Sequence, residues 1–196
     1  MDAMHFKWLR KLIKMGSEIS SILKNCEAIK FGHFKLTSGK ESSYYIDLRA
    51  ILAFPEERRK LAKAYVKIIE ERIGEIDCIV GIPTSGLAIA SIVAHEMNKP
   101  LTYVRLDARK HGLMRGIEGF SSGGRAVIVD DVATTGGSIL RAARILRKHG
   151  FEVKHAVVAV DREEGAHENL AREGIKLLAM AKISEILREL KEEKGS

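Results

Sequence analysis

Two adjacent aspartates at the end of an apolar run carry the clearest chemistry in this sequence. Residues 127–129 predict a buried strand, and Asp130 and Asp131 follow it directly. The carboxyl ends of parallel strands form the usual ligand edge of an open α/β sheet, so the pair is expected to face a ligand. Carboxylates only accept hydrogen bonds, and two of them side by side suit the vicinal hydroxyls of a sugar.

The residues after the acid pair have the composition of a phosphate-binding loop. Residues 134–138 supply hydroxyls and flexible backbone N–H groups, and a helix is predicted over residues 137–149. The positive N-terminus of that helix would point at the same place. No Gly-Lys-Ser/Thr follows, so this is not a Walker A loop. The segment therefore predicts a site for a phosphorylated sugar, and the alternative is an ordinary strand–turn–helix with an acidic turn.

A second turn of the same kind lies at residues 81–86. It follows a predicted strand and opens a predicted helix over residues 85–97, with Ser85 as its cap. Thr84 and Ser85 can donate hydroxyl hydrogen bonds, and Gly86 lets backbone approach a ligand. Alone the pattern is common, but beside the first loop it predicts a pyrophosphate site.

Residues 105–119 form a long basic segment that is rich in glycine. It contains Arg105, Arg109, Lys110, His111 and Arg115. Cations that close over pyrophosphate would stabilise the charge that develops in a transition state and would exclude water. The alternative is a solvated surface loop.

Two further segments could recognise a planar ligand. Arg162, at the end of a predicted strand, could pair with a carboxylate or a carbonyl edge, although Glu163 and Glu164 also fit a simple charged turn. Residues 31–39 and 42–49 carry aromatic residues around a polar turn. On their own they read as a hairpin, which we call the hood.

The order of elements predicts an α/β fold with a mostly parallel sheet flanked by helices. Helices are predicted over residues 56–73, 85–97, 137–149, 165–173 and 183–191, and strands over 77–81, 101–105, 126–129, 153–160 and 175–180. We divide the chain into an N-terminal helix and hood, residues 1–49, and a core, residues 50–196, within one structural domain.

Composition narrows the classes of partner. The 196 residues carry a net charge of +7, but no basic run of five or more appears. Small anions are therefore favoured over nucleic acid. No apolar run approaches the roughly 20 residues that span a membrane, and the N-terminus is amphipathic rather than a signal peptide. Cys26 and Cys78 form no metal-binding pattern. We expect a cytoplasmic protein that contacts neither nucleic acid nor membrane.

Together these segments resemble the orotate phosphoribosyltransferases, which are type I phosphoribosyltransferases. The resemblance covers roughly residues 28–180 and rests on the acid pair with its loop, the hood, the basic segment and the Asp-Arg-Glu-Glu-Gly run at 161–165. It implies a Rossmann-like fold, a homodimer, Mg²⁺ as cofactor, and transfer of ribose 5-phosphate from phosphoribosyl pyrophosphate (PRPP) to orotate. The products would be orotidine 5′-monophosphate and pyrophosphate, in pyrimidine biosynthesis.

The resemblance also implies roles for individual residues. Catalytic roles fall to Asp130, Asp131, Arg109 and His111. PRPP contacts fall to Thr84, Ser85, Arg105, Arg109, Lys110, His111, Asp130, Asp131, Val132, Ala133, Thr134, Thr135, Gly136, Gly137 and Ser138. Orotate contacts fall to Thr134, Arg162, Tyr45 and Ile46. Mg²⁺ would be held mainly by PRPP, near the acid pair, and the segment 105–119 would reach into the partner subunit's site.

Three positions depart from the pattern. Many members carry a lysine where this chain has Thr37, Ser85 and Leu106. The loss of three cations should weaken PRPP binding unless residues such as Lys40, Lys110 and Arg115 replace them.

Two alternatives to this function stay open at the level of sequence. One is a phosphoribosyltransferase for a purine or another base, which Arg162 and the hood argue against. The other is a non-catalytic regulator that senses PRPP and binds nucleic acid, which the basic composition allows.

Overall fold

The structure is a computed structural model that describes residues 15–35, 41–105 and 116–194. Residues 15–25 are helical (α1) and precede a hairpin of β1 (Ile29–Lys35) and β2 (Glu41–Ile46), which pair antiparallel. This confirms the hairpin expected from the sequence. The polypeptide then enters the core through a 3-10 helix, Leu48–Ala53, and α2 (Pro55–Arg72). The 3-10 helix crosses the division placed after residue 49, which stays a prediction.

The core is a six-stranded sheet with helices between its strands. The remaining elements, in chain order, are β3 (Cys78–Gly81), α3 (Ser85–Glu96), β4 (Leu101–Val104), β5 (Ile117–Gly119), β6 (Gly124–Ala133), α4 (Gly137–Lys148), β7 (Phe151–Asp161), α5 (Ala166–Arg172), β8 (Lys176–Lys182) and α6 (Ile183–Lys194). The strand order is β5-β4-β3-β6-β7-β8, and all neighbours are parallel except β4 and β5. The mostly parallel α/β fold is thus confirmed.

Helices cover both faces of this sheet, which explains why its strands are apolar throughout rather than alternating. Ile79, Val127 and Val157 point into a core shared with α1, α2, α3 and α6. Val80 and Ile128, one residue further on, point into a second core shared with α4 and α5. The sheet therefore holds its carboxyl edge rigidly between two packed layers.

Three details differ from the sequence predictions. β6 continues to Ala133 because β7 extends alongside it, so the acid pair lies inside a strand rather than after one. Thr84, not Ser85, is the residue before α3, and it makes no side-chain cap hydrogen bond. Part of the predicted basic loop, Ile117–Gly119, is a short strand that pairs antiparallel with β4.

Candidate active site

The acid pair lies in the part of β6 that extends beyond the end of β3. The pairing of β3 with β6 ends at Gly81 opposite Val129, whereas β7 still pairs with β6 at Ala133. Asp130 and Asp131 are therefore inside β6 but beyond the carboxyl end of β3, so they lie at the carboxyl edge of the sheet on that side. Asp130 is only 6% exposed, and Asp131 is half-buried.

Hydrogen bonds connect the acid pair to the following loop and to the backbone of its own strand. The hydroxyl of Ser138 donates to Asp130 Oδ2 at 3.3 Å, and the N–H of Asp131 donates to Asp130 Oδ1 at 3.1 Å. The N–H of Val132 donates to Asp131 Oδ1 at 2.9 Å. The structure thus brings together the two carboxylates and the far end of the predicted phosphate loop.

The environment of Asp130 disfavours its charge. Burial raises the pKa of Asp130 well above its usual range, and the neighbouring Asp131 carboxylate raises it further. Hydrogen bonds from the Asp131 backbone and from Ser138 act in the opposite direction but do not reverse the shift. No lysine or arginine is among the described groups that shift it. A buried carboxyl with a raised pKa beside a second carboxyl is typical of a functional site.

Gly86, in the first turn of α3, is packed against the acid pair. A Cβ at this position would lie 2.4 Å from Asp130 Oδ1 and 3.1 Å from Asp130 Cα. The loop before α3, with a cis peptide bond between Pro83 and Thr84, is therefore adjacent to Asp130. The sequence singled out Gly86 for backbone approach to a ligand, and the structure gives a second reason: a glycine leaves room for the carboxylate.

The loop between β6 and α4 has the form of an anion site. Gly136 precedes α4 with φ +78, a conformation that favours glycine. Because glycine has no side chain, no cap covers the first N–H groups of α4. Asn169 of α5 donates to the Thr135 carbonyl at 3.0 Å, which ties the loop to α5. The first N–H groups of α4 are thereby available to an anion.

Arg162 lies at the end of β7, between the core and the hairpin. Its side chain is 9% exposed, its Nε lies 2.9 Å from Glu164 Oε1, and its Cζ lies 5.2 Å from the centre of the Tyr44 ring. Its backbone N–H donates to the Ala133 carbonyl at 2.9 Å, which ties the turn to the end of β6. Arg162 is therefore held beside β6, the strand that carries the acid pair.

Tyr45 and Ile46, the two hairpin residues predicted to pack on the base, lie on opposite faces of β2. Tyr45 contacts Phe34, with ring centres 5.6 Å apart, and Ile46 is buried in the core. Tyr44, which the sequence did not select, is the residue over Arg162. Strand alternation gives the signal that could have found it, because Tyr44 must share a face with the buried Ile46.

The cations of the site are only partly described. Arg105 lies at the end of β4, where its Nη1 is 3.4 Å from Glu118 Oε1 rather than at the acid pair. Arg49, which the sequence did not select, forms a bidentate pair with Asp47 at 2.6 and 3.1 Å. Its pKa is raised first by Asp47 and, more weakly, by Asp131. The predicted residues Thr37, Lys40, Leu106, Arg109, Lys110, His111 and Arg115 lie outside the described residues.

Metal and membrane features can be judged only for the described parts of the chain. There, no cluster of three or more His, Cys, Asp or Glu side chains is placed to hold a metal ion. Two adjacent carboxylates nevertheless fit Mg²⁺, which commonly takes one or two protein carboxylates and completes its shell from phosphates and water.

None of the described helices has the length and apolar character needed to cross a membrane.

Known proteins share both the sequence and this geometry. Residues 47–178 match the phosphoribosyl transferase domain family. The orotate phosphoribosyltransferase of Pyrococcus horikoshii is 44% identical over 177 residues, which is 90% of this chain and 95% of that protein.

Solved structures agree with this relationship. The crystal structure of orotate phosphoribosyltransferase from Aeropyrum pernix superposes with a TM-score of 0.80 at 37% identity, covering 88% of this chain and 99% of that one. Leishmania donovani UMP synthase gives a TM-score of 0.81 at 36% identity, covering 90% of this chain and 38% of that one. The chain belongs to the phosphoribosyltransferase family and, within it, to the orotate phosphoribosyltransferases.

Proposed function

We propose that this chain transfers ribose 5-phosphate from PRPP to orotate, releasing pyrophosphate and forming orotidine 5′-monophosphate. One observation carries the proposal: an acid pair with a buried Asp130 is hydrogen-bonded to a phosphate-type loop, and Arg162, whose side chain is 9% exposed, lies at the end of the next strand. Relatives of this chain, similar over most of its length, bear the name of this activity.

The acid pair and its loop are proposed to hold the ribose 5-phosphate group. The ribose hydroxyls donate to the carboxylates of Asp130 and Asp131, and the 5′-phosphate accepts from the loop of residues 134–138 and the start of α4. Bound hydroxyls would supply the hydrogen bonds that a buried carboxylate needs in order to be charged. Substrate binding should therefore lower the raised pKa of Asp130.

Arg162 is proposed to read the planar base. Its Nε lies 2.9 Å from Glu164 Oε1 but is buried without a hydrogen-bond partner among the described residues, so the guanidinium has donors for the orotate carboxylate. The Tyr44 ring, whose centre lies 5.2 Å from the guanidinium carbon, helps to hold the cation in place. A purine offers no carboxylate to this arginine, so the arrangement favours orotate over a purine base.

Pyrophosphate departure needs positive charge at the same edge of the sheet. The loop with Thr84 and Ser85 and the cations Arg105, Arg109, Lys110 and His111 are proposed to meet it, with Arg49 as an additional described cation. Mg²⁺, held mainly by PRPP near Asp130 and Asp131, would neutralise pyrophosphate charge when bound. The bond from C1 to pyrophosphate breaks, and the deprotonated ring nitrogen of orotate forms the new bond with inversion. Catalysis then consists of alignment and electrostatic stabilisation.

The reaction itself is tested with purified protein, PRPP, Mg²⁺ and orotate. Orotate loses ultraviolet absorbance as it is consumed, and we expect a loss that requires all three additions. An unchanged absorbance, with PRPP binding still detected by calorimetry, would contradict the proposal and direct the assay to purine bases. A gel shift that weakens with salt would instead favour the nucleic-acid-binding regulator.

A homodimer with shared sites is the remaining part of the proposal. If residues 105–119 complete the partner's site, then Asp131→Asn and Arg109→Ala subunits, each inactive alone, should regain activity when mixed and allowed to exchange. Random pairing of equal amounts yields one competent site in half of the dimers, so recovery of about a quarter of wild-type activity is expected from site geometry. No recovery, with exchange shown by tagged subunits, would indicate sites contained in one chain.

A further inference from the structure

Tyr65 of α2 contacts the backbone of the acid pair through a single buried atom. Its side chain is fully buried, and its hydroxyl donates to the backbone carbonyl of Asp130 at 2.6 Å. The two residues are 65 positions apart in the chain. Burial raises the pKa of Tyr65 well above its usual range, and the charges of Asp131 and Asp130 raise it further, so the hydroxyl remains a donor at working pH.

The Tyr65 hydroxyl meets β6 at the point where the pairing of that strand with β3 has ended. β3 ends opposite Val129, so its pairing with β6 stops one residue before Asp130. The Tyr65 hydroxyl donates to Asp130, the first residue of β6 beyond that pairing. One phenol oxygen thus holds β6 from the side of α2 at the residue where the acid pair begins.

We propose that Tyr65 is a positioning residue that fixes the backbone of Asp130 and thereby aims both carboxylates at the ribose hydroxyls. The inference rests on the proposed role of the acid pair. Asp131 and Val132 donate their N–H groups to the carboxylates, so a shift of this short stretch moves backbone and carboxylates together. Misplacement of about 1 Å can cost on the order of 100-fold in rate, so a smaller shift should be measurable.

The test compares two variants that each lose one buried hydroxyl. Tyr65→Phe removes the bond to Asp130. Thr102→Val is its matched control, because Thr102 on β4 is also fully buried and donates to the carbonyl of Phe120, away from the acid pair. Both variants keep the shape of the side chain, so both should fold, with similar decreases in melting temperature.

The kinetic readout separates positioning from general stability. We expect Tyr65→Phe to lower kcat/KM for PRPP by about tenfold, the scale of one buried hydrogen bond, with KM for orotate close to wild type. Thr102→Val should leave both values unchanged. Wild-type PRPP kinetics in Tyr65→Phe, or the same loss in both variants, would overturn the positioning role.

A binding measurement distinguishes failure of this inference from failure of the proposed function. Ribose 5-phosphate is titrated into the wild type, Tyr65→Phe and Asp131→Asn. Loss of affinity in both variants supports the inference. Loss in Asp131→Asn alone overturns the role of Tyr65 and leaves the acid pair as the ribose site. Wild-type affinity in Asp131→Asn would show that the acid pair does not bind ribose, and the inference would be overturned with it.

Discussion

An aspartate lies against a glycine at each end of β6, and the two ends are built in opposite ways. At the amino end, Asp77 faces Gly124, where a Cβ would lie 2.9 Å from Asp77 Oδ2. Arg125 donates to that carboxylate from its backbone at 2.7 Å and from its guanidinium at 3.2 Å. At the carboxyl end, Asp130 faces Gly86. Its charged neighbour is the carboxylate of Asp131, whereas the charged neighbour of Asp77 is Arg125.

The difference is visible in the pKa of each carboxyl. The hydrogen bonds of Arg125 lower the pKa of Asp77, which lies exposed to solvent. Burial and Asp131 raise the pKa of Asp130. The amino end is therefore complete without a ligand, whereas at the carboxyl end the proposed ribose hydroxyls would supply further hydrogen bonds to the carboxylates. Close packing of a glycine on an acid is common to both ends, and charge compensation distinguishes the structural amino end from the proposed ribose-binding end.

The largest expected effect comes from filling the space beside each aspartate. Gly86→Ala places a Cβ on Asp130 and should displace the acid pair, with a loss of about 100-fold or more in kcat/KM. Gly124→Ala is the matched change at the other end. Because Gly124 has φ +107, this variant should lose about 1–3 kcal/mol of stability while kcat/KM is unchanged. Steady-state kinetics and urea unfolding of both variants check the pair, and a Gly86→Ala enzyme with wild-type kcat/KM would contradict the comparison.

Much of the carboxyl end could be read from the sequence because its signals are local. An apolar run, two acids and a small-residue loop are contiguous in the chain, and the sheet brings them to one edge. Arg162 could be placed at that edge by the same rule, since it ends the neighbouring strand. The resemblance then supplied the identity of the substrates, which no spacing of residues could give.

The features that escaped prediction depend on contacts between distant segments. Nothing near Tyr65 indicates that its hydroxyl meets the Asp130 carbonyl, because the two are joined only by the packing of α2 on the sheet. β5 was missed because a three-residue strand in a glycine-rich segment has too few side chains to show a period. The contact of Tyr44 with Arg162 also joins distant segments, although alternation from the buried Ile46 places Tyr44 on the same face of the hairpin as Ile46.

Asp130→Asn should separate activity from stability at the carboxyl end. The substitution removes the negative charge that accepts the ribose hydroxyls, so kcat/KM for PRPP should fall by about 10- to 100-fold, the scale of hydrogen bonds to a charged group. The folded pKa of Asp130 is raised above its unfolded value, so ionisation destabilises the free enzyme as pH rises from the ordinary carboxyl range through the raised pKa. The variant lacks this loss and should melt higher than the wild type near neutral pH.

The pH dependence of that stability difference is the decisive measurement. Below the ordinary carboxyl pKa, Asp130 is neutral in both the folded and the unfolded wild type, and the two proteins should approach the same melting temperature. Thermal melts of both proteins across the acidic and neutral range would show the gap opening as pH increases. A gap of constant size would mean that folding does not raise the pKa of Asp130.

Asp77→Asn should have the smallest effect and the opposite sign. The folded pKa of Asp77 is lowered by Arg125, so its contribution to stability is present above the ordinary carboxyl pKa and is lost as pH falls through the folded value. Because the pair is exposed, the variant should melt only slightly below the wild type at neutral pH, and added salt should narrow the difference. Catalysis should not change, since the pair lies at the opposite edge of the sheet from Asp130. A loss of kcat/KM comparable to that of Asp130→Asn would mean that both ends of β6 act in catalysis, and the contrast between them would fail.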